Sequence, residues 1–240
     1  DLCVSCKACA SECPSSVDVA SLKAEFEYQY QKENGSSLRT KMFAYNNLLN
    51  SYGSRFSSIT NFMFSNEYTS TIIKKLLGIA TKRNLPLISS VSLGNHIQST
   101  IKQSNRNNKI KTVYFFNDEF TNHLDSEIGQ DALQFLHALN YEVKHIKHKE
   151  SGRAFLSKGF LEQAQKIANK NLSIFSKVIS ETTPLIGIEP SAILTFRDEY
   201  IKLANNKESA KKLAKNCFLI EEFLQNEIIL GNIKSEQFTT

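Results

Sequence analysis

At 240 residues, with 41% hydrophobic and 10% aromatic residues, the chain is long enough for one large core or for a small and a medium one. Its formal charge of +5, from 29 basic and 24 acidic residues, is modest and dispersed. Lys109, Lys111, Lys144, Lys147 and Lys149 flank expected strands and form no basic tract interleaved with aromatics, so no nucleic-acid partner is expected. No apolar run reaches the length that spans a bilayer, and the polar, cysteine-bearing first residues do not read as a signal peptide.

The sharpest chemical signal is at the start. Four of the five cysteines, Cys3, Cys6, Cys9 and Cys13, fall in the first thirteen residues, spaced C-x2-C-x2-C-x3-C and followed by Pro14. This is the spacing of ferredoxin-type iron–sulfur ligation. Small residues between the cysteines (Ser5, Ala8, Ala10, Ser11) allow one loop to reach several corners of a [4Fe–4S] cube, and Pro14 redirects the chain. In such runs the fourth cysteine typically serves a neighbouring cube. Cys3, Cys6 and Cys9 are then expected to hold one cube, with Cys13 either closing it or reaching a second whose other ligands lie elsewhere. The competing readings are a zinc staple held by the same four cysteines and a disulfide knot. Zinc usually takes two C-x2-C pairs set further apart, and a knot needs an oxidising compartment. Reduced cluster thiols fit a cytoplasmic protein, or the cytoplasmic face of a membrane. An opening Asp1-Leu2, with almost nothing before the first ligand, reads as part of a longer protein.

Down the chain, Asp18 is a fair helix cap, and Leu22, Phe26 and Tyr30 mark one helical face from Val19 to Gln31, ended by Asn34-Gly35. Apolar spacing predicts three more helices over Leu38–Leu49, Phe56–Phe64 and Thr69–Leu77, with Gly78 as terminator. Leu85–Ser92 reads as extended, and polar Gln103–Lys109 as a linker. The period then changes. Strands are expected at 111–116, 141–146 and 184–188, alternating with helices at 126–139, 156–180 and 190–203, and two helices, 208–215 and 218–229, close the chain. The predicted class is α+α/β: a helical, ferredoxin-like iron–sulfur segment (1–90), a linker (91–110), and a small three-layer α/β domain with a parallel sheet (111–240). Its switch points fall at Asn117–Asp125, Lys147–Phe155 and Gly187–Ser191.

The opening run with Leu22-Lys-Ala-Glu-Phe26, then Lys74-Lys-Leu-Leu-Gly-Ile79, Ser151–Phe160 and Gly187–Tyr200, resembles in the same order the iron–sulfur region of large FAD-linked oxidoreductases acting on D-2-hydroxy acids such as D-lactate or D-2-hydroxyglutarate. The resemblance implies a parent protein with an upstream flavin (FAD) domain, a second cluster motif and a downstream Cys-Cys-Gly repeat. It implies an electron-transfer segment without turnover of its own, holding its [4Fe–4S] cluster poorly in isolation. This chain departs from that pattern. Glu150-Ser151-Gly152-Arg153 stands where the family has Cys-Cys-Gly-Arg, and Ala192 follows Glu189-Pro190-Ser191 where many relatives have cysteine. The α/β half is therefore expected to hold no cluster. Any role left to it would rest on Arg153, Lys158, Glu189 and Arg197, either as a pocket for an anion or partner or as internal ion pairs that fix loops.

Other residues carry weaker signals. Cys217, expected on a helix, reads as a small buried hydrophobe. His145, His148 and Glu150 have metal-ligand spacing but sit among lysines. Asp118, Glu119 and His123 follow the first strand at a site edge. There is no glycine-rich phosphate loop. The non-catalytic alternative is a subunit-interaction module whose N-terminal cysteines bind zinc.

Overall fold

The computed structural model describes residues 7–101 and 109–238. Helix α1 (Ala8–Glu12) carries Cys9, and Asp18 caps α2 (Val19–Asn34) by accepting the Ser21 N–H at 3.0 Å. Then come α3 (Leu38–Ala44), α4 (Asn46–Arg55), α5 (Ser57–Ser65) and α6 (Glu67–Leu76). Ser37 caps α3 and Asn66 caps α6, in each case with a side-chain oxygen on a backbone N–H. The single helix expected over Leu38–Leu49 is broken at Tyr45, whose ring packs edge-on against Phe155 at 4.9 Å. Leu85–Ser92 joins no ladder. Instead the Asn61 amide bridges the N–H and C=O of Ile88, both at 2.8 Å, in place of a strand partner.

The linker expected at 91–110 contains α7 (Leu93–Ile101), with Leu93 and Ile97 buried in the core. Leu93, Ile97 and Ile101 recur every fourth residue, a helical stripe too short to stand out beside the polar run. The α/β half follows as β1 (Thr112–Phe115), α8 (Glu119–His123), α9 (Ser126–Ala138), β2 (Glu142–Lys144), α10 (Arg153–Ser157), α11 (Leu161–Phe175), β3 (Leu185–Gly187), α12 (Pro190–Ile193), α13 (Glu199–Leu203), α14 (Lys207–Ala214), β4 (Cys217–Leu219) and α15 (Ile220–Ile229). The four strands form one parallel sheet in the order β2-β1-β3-β4.

Period-two alternation divides each strand between two cores. Val113, Phe115 and Ile186 face α7, α9 and α15, whereas Phe116, Leu185 and Cys217 face α11, α12, α13 and α14. Helices thus cover both faces, as expected for a parallel sheet. Three expected helices are shorter or split. Residues 156–180 divide at Gly159 (φ 73°), which ends α10 so that α11 starts afresh. Residues 190–203 divide into α12, a 3-10 turn and α13. The start of the expected 218–229 helix is β4 instead, because a short apolar run fits a buried strand as well as a buried helix. Cys217 accordingly lies on a strand, 1% exposed, with burial pushing its thiol pKa up. Among the described residues, no helix is long and apolar enough to cross a membrane.

The helical region meets the α/β half closely. A Cβ on Gly159 would lie 2.7 Å from Glu27 Cβ and 2.9 Å from the Tyr28 nitrogen of α2. Gly159→Ala adds this clash to an unfavourable positive φ, and urea unfolding of the variant is expected to show a loss of roughly 1–3 kcal/mol.

Candidate functional site

Cys3 and Cys6 lie outside the described residues. Cys9 and Cys13 sit one helical turn apart, the Cys13 N–H bonding to the Cys9 carbonyl at 3.0 Å. The backbone amides of Val17 and Ser15, and less that of Ser16, lower the pKa of the Cys13 thiol against a smaller opposing effect of desolvation. Amide donors around a cysteine sulfur favour the thiolate, the form that binds metal. The donor chemistry at Cys13 therefore fits an iron–sulfur ligand. Lys7, in the left-handed conformation (φ 62°), turns the chain into α1.

Ion pairs moor this segment to the α/β half. Lys7 pairs with Asp198 and, at 2.7 Å, with Glu199 of α13. Arg153 at the start of α10 pairs with the same Glu199 oxygen. Asp18 accepts from Lys202 at 2.7 Å. Burial opposes the Asp18 charge, but Lys202 and Ser21 hold its carboxyl well below the usual range. Beneath these pairs, a cavity of about 250 Å³ is walled by Ala20, Ala24, Leu156, Leu161 and Leu203.

The four residues expected to form a charged pocket do not converge on one point. Arg153 is held by Glu199. Lys158 lies 5.5 Å from the Phe43 ring, and its carbonyl accepts from Gln31. Glu189 caps α12, accepting from the Ser191 N–H at 3.1 Å. Arg197 binds both oxygens of Glu222, at 2.8 and 2.6 Å. Each of the four thus has a partner of its own.

The Ser151–Gly152 turn is buried, and every polar group of Ser151 is engaged. Glu119, at the C-terminal end of β1, accepts from the Ser151 N–H at 2.8 Å and the Ser151 hydroxyl at 2.6 Å. Tyr200 donates to the Ser151 carbonyl at 2.9 Å, and Asn171 donates to the carbonyls of Lys149 and Glu150 and to the Tyr200 oxygen. Ser151 is 0% exposed, and Gly152 has φ 82° at the N-cap of α10. Burial raises the Glu119 pKa to about 7, the Ser151 donors offset this in part, and the Glu150 charge adds to it. Ala192 is likewise buried.

Beside this loop, at the crevice between the ends of β1 and β2, lie Asn117, Asp118, Asn122, His145, His148 and Glu150. Asp118 caps α8 through the N–H groups of Phe120 and Thr121, both at 2.9 Å. His148 packs on Phe116 at 4.6 Å and bonds through Nδ1 to the Lys149 carbonyl at 2.7 Å, so that nitrogen carries the proton. Burial brings its pKa down to about 4. Its ring centroid lies 5.3 Å from that of His145, but the described residues contain no group of three His, Cys, Asp or Glu able to hold a metal ion. His145, His148 and Glu150 are thus a partly buried wall. Sequence analysis did not single out Asn171 and Tyr200 as partners of this loop. Their only signal was a polar group on an otherwise apolar stripe of α11 and of α13.

Two measurements test these arrangements. Glu199→Ala leaves Lys7 and Arg153 facing each other without their shared carboxylate. The expected loss is roughly 3 kcal/mol in chemical unfolding, with faster thiol labelling of Cys9 in metal-free protein. For Glu119, the unfolded carboxyl ionises near 4.5 and the folded one near 7, so the folded state holds the extra proton between them. Its contribution to stability falls as pH rises through that window, by on the order of 3 kcal/mol. His148 works in the opposite sense between about 4 and 6.5. The difference in stability between wild type and Glu119→Gln, measured across pH 4.5–7, isolates the Glu119 slope.

No family model matches the chain, and no solved structure matches it. Curated relatives do. The chain is 24% identical to the D-2-hydroxyglutarate dehydrogenase of Haemophilus influenzae over 98% of its own length. It is 26% identical to that of Escherichia coli and 23% identical to that of Pantoea ananatis, each over 94% of its length. It spans only 22–24% of these proteins. The chain is therefore similar, almost end to end, to about a quarter of each of these D-2-hydroxyglutarate dehydrogenases.

Proposed function

We propose that the chain is the electron-transfer segment of a larger oxidoreductase that oxidises a small 2-hydroxy acid. The observation that carries this reading is the C-x2-C-x2-C-x3-C-P run, and the lowered Cys13 pKa agrees with it. The names of the relatives support a 2-hydroxy acid as the substrate of the whole protein, with D-2-hydroxyglutarate the example they give.

Oxidation of a 2-hydroxy acid to a 2-oxo acid releases two electrons and two protons, and these must leave the substrate site. On this reading a flavin accepts them in another part of the polypeptide, as the family resemblance implies. A bound [4Fe–4S] cluster supplies single-electron transfer. The chain's own residues hold and orient that group. Cys3, Cys6 and Cys9 provide thiolates, and Cys13 provides a fourth to the same or a neighbouring cube. The Val17, Ser15 and Ser16 amides lower the Cys13 pKa and so favour its thiolate, and Lys7 and Asp18 tie the segment to Asp198, Glu199 and Lys202. The α/β half, whose Glu150, Ser151 and Ala192 offer no thiol, serves as the platform for this docking.

The test uses the full-length polypeptide, purified anaerobically. Iron and acid-labile sulfide in equal amounts, a reduced-state EPR signal, bound flavin and reduction of an artificial acceptor by a 2-hydroxy acid are expected. Cys9→Ser should abolish the signal of this cube. Retention of the cube in Cys13→Ser assigns Cys13 to a neighbour, and its loss assigns Cys13 to the local cube. Zinc without sulfide would overturn the reading in favour of a structural staple.

A further inference from the structure

The helices α2–α6 are built inside out. Among described residues 7–92, the buried hydrophobic residues are Ala20, Ala44 and Ile88. Small side chains and ion pairs face the α/β half, where Ala44 joins Phe155, Leu156 and Ala164 in a minor core. The large apolar side chains point the other way. Phe26, Phe56, Phe62 and Leu76 are 70%, 67%, 64% and 74% exposed. Of twenty-six exposed large hydrophobics in the described chain, nineteen lie between Val17 and Val91, so the exposure belongs to this region and not to the whole surface.

The pattern is ordered. Leu22, Phe26 and Tyr30 repeat every fourth residue on α2, Ile59, Phe62 and Met63 share a side of α5, and Ile72 and Leu76 lie a turn apart on α6. Helices α3 to α6 each pack on the next, which joins the faces of α5 and α6, and α2, packed on α11, presents a stripe of its own. A protein surface rarely leaves so much contiguous apolar area in water, and where it does the area marks an interface.

The charges around the patch indicate its occupant. At the surface α2 carries Glu33 against Lys32, α3 carries Arg39 and Lys41, and α6 carries Glu67 and Lys75. A mixed rim around an apolar centre is the make-up of a protein interface. The relatives contain about four times the polypeptide matched here. A domain tethered in the same chain reaches such a surface at high effective concentration.

We infer that the outer faces of α2, α5 and α6 are the docking surface for another domain of the same polypeptide, which packs an apolar face with a mixed-charge rim against Phe26, Phe62 and Leu76. The inference rests on the chain being part of a longer protein, as in the proposed function, but not on which cofactors that protein holds.

Carbene footprinting of the native full-length polypeptide tests it. Phe26, Phe62 and Leu76 should be labelled severalfold less than Ile128 and Ile229, which are exposed on the α/β half. Labelling as strong as at those two controls would overturn the inference, as would a native polypeptide of only 240 residues. Protection lost on dilution to monomers would assign the face to a second copy, and protection that needs anionic vesicles would assign it to a bilayer; either result overturns the tethered domain. In the full-length protein, Phe62→Ala should raise labelling at Leu76 without changing labelling at Ile128. No change at Leu76 would count against docking there. Flavin and labile sulfide are assayed on the same sample. A protected face without them defeats the proposed function alone, and an exposed face with them defeats this inference alone.

Discussion

The carboxylate of Glu199 is the point on which two parts of the molecule meet. It is almost buried, and one of its oxygens accepts from both Lys7 and Arg153. Lys7 belongs to the cysteine segment and Arg153 begins the helix after the Glu150–Gly152 loop. A buried carboxylate is costly unless its charge is matched, and here each cation answers it from a different element. Cys9, in the helix that follows Lys7, is thereby tethered to a charge held on the α/β half. Asp18 and Lys202 repeat the device one turn further along.

In the α/β half a polar network fixes the Glu150–Gly152 loop. Ser151 donates twice to Glu119, Tyr200 caps the Ser151 carbonyl, and Asn171 fastens the two residues before it. The network is buried and nearly every polar group in it is matched, so it fixes one loop conformation. A loop held this firmly suits a platform. Gly152, in the left-handed region, makes the sharp entry into α10. The outward apolar faces of the helical region and this rigid platform belong to one design: small residues and charges on the inner side, large apolar residues on the outer.

Much was legible in the sequence because it is encoded within a turn or two. The cap at Asp18 and the helices over 126–139 and 208–215 follow from local oxygen–amide reach and from apolar spacing. The change of period after residue 110 announced strands and helices in alternation, and a parallel sheet is what the chain forms. Where the reading erred, a distant contact decided. Tyr45 leaves the helix to meet Phe155, Gly159 turns against Glu27, and Leu93 and Ile97 are drawn into the sheet's core. The charged residues 153, 158, 189 and 197 were grouped by type, yet Arg153, Lys158 and Arg197 answer partners that sequence position does not reveal, and Glu189 caps its own helix.

The sequence by itself determined the cysteine spacing, the helical faces, the apolar strands and the absence of thiols at Glu150, Ser151 and Ala192. These follow from residue identity and from the fixed geometry of one chain. Only the tertiary structure decided the order β2-β1-β3-β4, the fourth strand at Cys217–Leu219, the shared Glu199 carboxylate and the outward direction of Phe26 and Phe62. Those depend on which remote surfaces come together, and hydrophobic burial, being non-directional, leaves that choice to the whole fold.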